Sequence, residues 1–276
     1  MRKYLSVQTK LTKEEITSIQ QLKEKMENKG LRYKIDLAVF NNISGQVKHL
    51  LYTDGERLKG YAVMSCFDPT ELEVAIIMEQ KAEVFEAIDA TLRNYVKEHQ
   101  MKTMMIISDK QDQYMKQCLE KKKYTYYFSE YRMSLDFKRF VPSNKEKLMI
   151  ESANFGDAKT ILQLENSLAQ SEDDQTVSLE DIQKTIVTKE NNQIVASMRI
   201  EEELNCYAIY GFVVKEQLRG QGIGRQFLSQ VIQELLKKEP QKVYLEVSTE
   251  NEPALHLYQS VGFRIDTHFN YYLARL

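Results

Sequence analysis

Ile16, Ile19, Leu22 and Met26 recur at helical spacing behind Thr12-Lys13-Glu14-Glu15, a capping box, and Gly30 closes that helix. Two strand-like runs follow, about His49 to Thr53 and Leu58 to Phe67, joined across Asp54-Gly55, a pair favoured in hairpin turns. Glu71 to Met78 completes a meander. Ala82 to His99 then sets Val84, Phe85, Ile88, Leu92 and Val96 on one face, which predicts a helix packed on the sheet. Thr103 to Ser108 reads as a short apolar strand, Gln113 to Lys121 as a helix, and Tyr124 to Phe137 as a long aromatic strand pair or one bent strand. Lys138 to Lys147, charged and carrying Pro142, reads as a linker.

The same order then begins again. A helix over Ala158 to Ala169 is followed by a polar acidic loop, a second helix over Leu179 to Val187, and strands around Gln193 to Glu201 and Asn205 to Val214. The long amphipathic run Gly222 to Lys238 leads to a strand, Lys242 to Val247, a helix from about Pro253 to Ser260, and a final strand, Thr267 to Arg275. The pattern predicts an α/β (layered α+β) chain of two tandem domains, each a mixed, mostly antiparallel sheet flanked by helices. Their expected bounds are 1–138 and 148–276, with a linker over 139–147.

A length of 276 residues suits two domains of ordinary size. With 42% hydrophobic and 28% charged residues, 10 Gly and 4 Pro, the chain is folded rather than fibrous or disordered. A formal charge of -2 with interspersed signs argues against a nucleic acid partner. No apolar run approaches the roughly 20 residues needed to cross a bilayer, and Met-Arg-Lys-Tyr-Leu-Ser lacks the apolar core of a signal peptide. No membrane association and a cytoplasmic location are therefore expected. Cys66, Cys118 and Cys206 are far apart, without CxxC spacing, and read as free thiols.

Candidate chemistry lies in the second half. Phe212-Val213-Val214 ends an apolar strand, and Arg219-Gly220-Gln221-Gly222-Ile223-Gly224 opens an amphipathic helix carrying Phe227, Leu228, Val231 and Ile232. Backbone N–H groups at a helix N-terminus have no intrahelical partner and share the positive end of the helix dipole, which suits a phosphate. Glycines at 220, 222 and 224 let the main chain take positive φ and approach an anion, and Arg219 adds a charged donor. A Rossmann site would need an early βαβ unit with an acidic residue about 20 positions on, and a P-loop would need Gly-Lys-Ser/Thr. Antiparallel strands precede this loop and Arg225-Gln226 follow it, so neither fits.

The segment Phe212 to Gly224 resembles motif A of the Gcn5-related N-acetyltransferase (GNAT) superfamily, Arg/Gln-x-x-Gly-x-Gly/Ala, filled by Arg219, Gly222 and Gly224. A second signature of the family follows in register as Val247, Asn251, Ala254, Leu257, Tyr258, Gly262 and Phe263. The resemblance covers roughly Glu151 to Leu276, and the first 138 residues only by order of elements. It implies acetyl-CoA as cosubstrate, no metal, and two tandem GNAT-like domains.

Carried over from the family, the Phe212 to Val214 backbone would hydrogen-bond the pantetheine arm, the N–H of Val214 would polarise the thioester carbonyl, and Arg219, Gly220, Gln221, Gly222, Ile223 and Gly224 would cradle the pyrophosphate. Tyr258 matches the tyrosine that protonates the departing thiolate, and otherwise closes its helix onto the sheet. Asn251 either caps that helix or also touches the CoA arm. Where several members carry a catalytic glutamate this chain has Cys206, which leaves Glu202, Glu203, Tyr210, Glu246 or water as the general base.

By resemblance, the loop Gln170-Ser171-Glu172-Asp173-Asp174-Gln175 would wall the acceptor site, and its charge suits a primary amine of a small molecule or peptide; it also reads as a plain solvated loop. The first domain has Met78-Glu79-Gln80-Lys81 in place of the glycine loop, with Cys118 near the position of Tyr258 and Gln111 near that of Asn251. It is expected to have lost cofactor binding. Tyr126, Tyr127, Phe128 and Tyr131 read as core or as a lining of the acceptor cleft. The expected reaction is direct attack by the amine on acetyl-CoA. A longer acyl group and a catalytically silent CoA-binding protein are the alternatives, and acceptor identity and oligomeric state stay open.

Overall fold

The computed structural model describes residues 3–35, 38–41, 45–145, 147–166 and 179–275. The chain forms two compact units, one of residues 1–130 with 267–276, the other Tyr131–Asp266.

The first unit contains β1 (Lys3–Gln8), α1 (Lys13–Glu27), α2 (Ala38–Asn41), β2 (Val47–Asp54), β3 (Arg57–Ser65), β4 (Glu71–Met78), α3 (Ala82–Glu98), β5 (Thr103–Asp109), α4 (Gln113–Lys121) and the start of β6 (Thr125–Leu135). β1 to β4 pair antiparallel in sequence order, β4 and β5 pair parallel, and the C-terminal strand pairs antiparallel with β5. Helices cover both faces. Ile19, Leu22 and Met26 of α1 pack on Leu51, Tyr61, Val63 and Ile77, while Val84, Phe85, Ile88 and Leu92 of α3 pack on Leu50, Ala62, Met64 and Ile76. Strands buried on both faces lose polar alternation, so Leu50, Leu51 and Tyr52 are all buried. Each such side chain taken out of water contributes about 1.5–3 kcal/mol. The capping box at Thr12 is present, with Glu15 N–H donating to the Thr12 hydroxyl and Thr12 N–H to the Glu15 carboxylate.

The second unit holds β7 (Ile150–Ser152), α5 (Ala158–Asn166), α6 (Leu179–Gln183), β8 (Thr185–Glu190), β9 (Gln193–Glu203), β10 (Cys206–Val214), α7 (Ile223–Leu236), β11 (Lys242–Ser248), α8 (Glu252–Val261) and the start of β12 (Phe263–Arg275). β7 to β10 pair antiparallel in order, and β10 pairs parallel with β11, which repeats the first unit's plan. The larger core, with Phe227, Leu228, Val231, Ile232 and Phe263, lies under α7 and α8, and a smaller one, with Ile161, Leu164, Val187 and Val213, under α5. Among the described residues no helix is long and apolar enough to cross a membrane.

The structure departs from the sequence reading at several edges. The helix expected over Leu179 to Val187 stops at Gln183, because Ile186 and Val187 pair with Met198 and Ser197 of β9. β1 and β7, short edge strands, carry no pattern of their own and are defined by their partners. Tyr124 to Phe137 resolves into one strand, β6, followed by a 3-10 turn. The final strand starts at Phe263, and its part from Thr267 belongs to the first unit, whereas the sequence reading assigns it to the second domain.

Candidate active site

β10 and β11 pair parallel from Cys206 and Lys242 to Ile209 and Leu245, and there the pairing ends, although β10 runs on to Val214 and β11 to Ser248. The cause is a bulge. Tyr210 pairs with Arg199 and Val213 with Ser197, so β10 carries one residue more than β9 over that step, and Gly211 takes φ +54°. The extra residue bends β10 away from β11 and leaves the inner edge of Tyr210–Val214 without a strand partner there.

Phe212 and Val214 turn towards α7 and α8: the Phe212 ring lies 6.1 Å from Phe227 and 6.2 Å from Tyr258. Val213 turns to the opposite face, into the core under α5. Beyond β10, Arg219 Nε donates to the Val214 carbonyl at 3.0 Å, which ties the loop to the strand end. Gly220 takes φ +75°, with nothing within 4 Å of the place a Cβ would occupy. Gly222 is the N-cap of α7 at φ +86°; only Lys145 crowds it, with Nζ 2.8 Å from its Cβ position and donating to the Gln221 carbonyl at 3.0 Å. The sequence reading misses this linker lysine, since no spacing relates it to the loop. Ile223 opens α7. Gly224 sits in the first turn of α7, where an added Cβ would lie 3.2 Å from Val214 Cγ2 and 3.4 Å from Leu257 Cδ2, so its lack of a side chain also lets α7 pack on β10.

Tyr258 stands on α8, 7% exposed, and burial pushes its hydroxyl up to about 12. Asn251 caps α8, its Oδ1 accepting from Ala254 N–H at 3.2 Å. The base candidates separate. Glu202 and Glu203 lie at the hairpin end of β9, opposite Tyr207 and Cys206, and Glu202 meets Lys238 at 3.5 Å. A rise of about 3.3 Å per residue puts that end roughly 15 Å from the bulge. Cys206 belongs to the same closed end. Glu246 is held by Arg132, whose Nε and Nη2 lie 3.0 and 2.8 Å from its Oε1. Tyr210 lies at the bulge with the Arg199 guanidinium 5.6 Å from its ring centre. One carboxylate at the bulge is absent from the sequence reading, Glu165 of α5, with Oε1 2.5 Å from the Cβ position of Gly211. The acidic loop with Glu172, Asp173 and Asp174 lies outside the described residues. Among the described residues no group of His, Cys, Asp and Glu could hold a metal ion.

Where the first unit repeats this plan, it lacks the loop. β4 and β5 pair parallel as far as Ala75 and Ile107, but Lys81 caps α3 with extended φ -129° and Glu79 occupies the turn, 2.7 Å from Lys25 and 3.0 Å from Lys59. Tyr126 and Tyr127 are exposed, and Phe128 stacks on Tyr271 with ring centres 4.1 Å apart.

Solved structures share this architecture along nearly the whole chain. A GCN5-related N-acetyltransferase from Sphaerobacter thermophilus matches with TM-score 0.77 and 14% identity, over 98% of this chain and 95% of that one. A tandem GNAT protein from the clavulanic acid biosynthesis pathway matches with TM-score 0.77 and 13% identity, over 99% and 98%. A GNAT-family acetyltransferase from Colwellia psychrerythraea gives TM-score 0.63 and 12% identity, over 98% and 100%. No curated protein matches the sequence. The fold is therefore that of tandem GNAT proteins. The acetyltransferase (GNAT) family model matches residues 155–263.

Proposed function

We propose that the chain is an acetyl-CoA-dependent N-acetyltransferase that acetylates a primary amine of a small molecule or peptide by direct attack. The carrying observation is the early end of β10–β11 pairing at Ile209 and Leu245, beside a loop whose Gly220 and Gly222 bare the main chain at the start of α7. The cradle fits a pyrophosphate: a Cβ at 220 would meet nothing, and the nearest group to one at 222 is the Lys145 ammonium, a counter-charge for phosphate.

Acetyl-CoA supplies an acyl group activated as a thioester. Phe212, Val213 and Val214 would offer backbone hydrogen bonds along the open edge, the Val214 N–H would polarise the acyl oxygen, and Arg219, Gly220, Gln221, Gly222, Ile223 and Gly224 would form the pyrophosphate end. Tyr258, raised by burial, stays protonated at neutral pH and so is a proton donor for a thiolate and not a base. Asn251 holds α8, and hence Tyr258, at the gap.

The first unit is proposed to bind no cofactor. The Glu79 carboxylate and its lysine partners take the position of the glycine loop, which supplies an internal anion where a phosphate would need donors. Three free cysteines support a reducing compartment, the cytoplasm.

Isothermal titration with acetyl-CoA tests the reading. The expected result is one site of micromolar or better affinity, abolished by Gly222→Glu, whose side chain would enter the cradle. Absence of binding to the unaltered protein would overturn it.

A further inference from the structure

The bulge of β10 carries a carboxylate that neither motif contains. On α5, Leu164 is buried with Ile161, Val187, Ile194 and Val213 and anchors the helix over the sheet. Its neighbour Glu165 is thereby set over Gly211, Oε1 lying 2.5 Å from the Cβ position of that glycine. Any side chain at 211 would displace the carboxylate, so the bare, left-handed residue of the bulge is also what admits it.

The surrounding charges are unbalanced. Arg199 of β9 attracts Glu165 and Asp181 of α6 repels it. Arg199 is itself engaged, 3.1 Å from Asp181 and 3.3 Å from Glu201, and spreads over the Tyr210 ring of β10. Lys184 adds a second cation, hydrogen-bonded to Glu180 and acting on Asp181 and Glu201. The cation that acts on Glu165 is Arg199, which Asp181 and Glu201 also hold, and an ammonium ligand would add positive charge beside Glu165. Burial, opposed by Arg199 and helped by Asp181, raises the Glu165 carboxyl above the ordinary glutamate value. The cluster lies on the α5 face of β10, whereas Phe212, Tyr258 and α7 lie on the other.

We propose that Glu165 receives the acceptor: it binds the ammonium form of a primary amine at the β10 bulge and takes its proton before attack. The inference rests on the acetyltransferase reading above. An N–H bond of the ammonium breaks and its proton passes to a Glu165 oxygen. The freed lone pair forms a C–N bond at the acyl carbon, the C–S bond breaks, and sulfur leaves with the bonding pair to be protonated as thiol. The second nitrogen proton goes to solvent as the amide forms. A free amine of pKa about 10.4 is scarce at neutral pH, which is why a base at this point matters.

The test compares the full chain with Glu165→Gln, a change of nearly equal volume. Acetyl-CoA affinity is measured by titration, and thiol release is followed from pH 6 to 10 with spermidine, glucosamine and a lysine-containing peptide as probe amines. The variant is expected to bind acetyl-CoA as the parent does and to lose on the order of 100-fold in kcat/KM at neutral pH. That deficit should narrow as pH nears the amine's own pKa, where solution supplies the free amine; a purely structural role would leave it constant. A variant within twofold of the parent at every pH would overturn the inference and leave the acetyltransferase reading standing. Acetyl-CoA binding without thiol release for any probe would also overturn it, leaving the cofactor site intact, and no acetyl-CoA binding would remove both.

Discussion

Gly220 and Gly222 have left-handed backbones, whereas Gly224 is a helical residue squeezed between Val214 and Leu257. One short motif therefore combines two demands, exposure of the main chain and close packing of a helix on a strand. Both were legible, because spacing along the chain carries them; which glycine met which demand was not. The catalytic reading of Tyr258 rests on the same kind of spacing. Replacing it with Phe should leave the acetyl-CoA dissociation constant unchanged and lower kcat on the order of 100-fold, as expected for loss of a general acid. An unchanged kcat with a lower melting temperature would make Tyr258 a packing residue. Glu165 was not legible, since nothing in the spacing from 165 to 211 says that a helix will lie over a bulge.

At the scale of elements, amphipathic helices and apolar strands announced themselves, as the matching bounds of β4 and α4 attest. The boundary between α6 and β8 did not, because Ile186 and Val187 are drawn into a strand by pairing with β9. Glu79, at the end of β4, binds α1 to β3 through Lys25 and Lys59. Burial alone would raise its carboxyl; hydrogen bonds and charge from the two lysines more than reverse this and hold it at about 2. A carboxyl lowered on folding contributes stability that is present above its unfolded value of 4.5 and lost as pH falls towards 2. Denaturant unfolding of the first unit should thus weaken over that window, and Glu79→Gln should flatten the dependence. An unchanged slope would show the pairs to be solvent-screened.

For the whole molecule, the first unit is discontinuous in sequence, because the strand from Thr267 onward returns to it. Phe269, Tyr271 and Tyr272 are buried there beside β5. Ending the chain after Asp266 should therefore destabilise the first unit, each buried ring contributing about 1.5–3 kcal/mol, and should spare the second. Hydrogen exchange would read this as lost protection in β4 and β5 with β9 and β10 unchanged; loss confined to the second unit would contradict the division.

What the sequence determined by itself is everything encoded at short range. Helical and strand periodicity set the tandem order of elements, and two motifs in register carried the resemblance to GNAT proteins and singled out the glycine loop at the start of α7. Only the tertiary structure decided where the last strand belongs, how the β10 bulge opens the edge beside β11, and that Glu165, Asp181, Glu201 and Arg199 meet on one face. These depend on which strand pairs with which and how a helix lies across them, and residues far apart in a chain leave no spacing from which such pairing can be read.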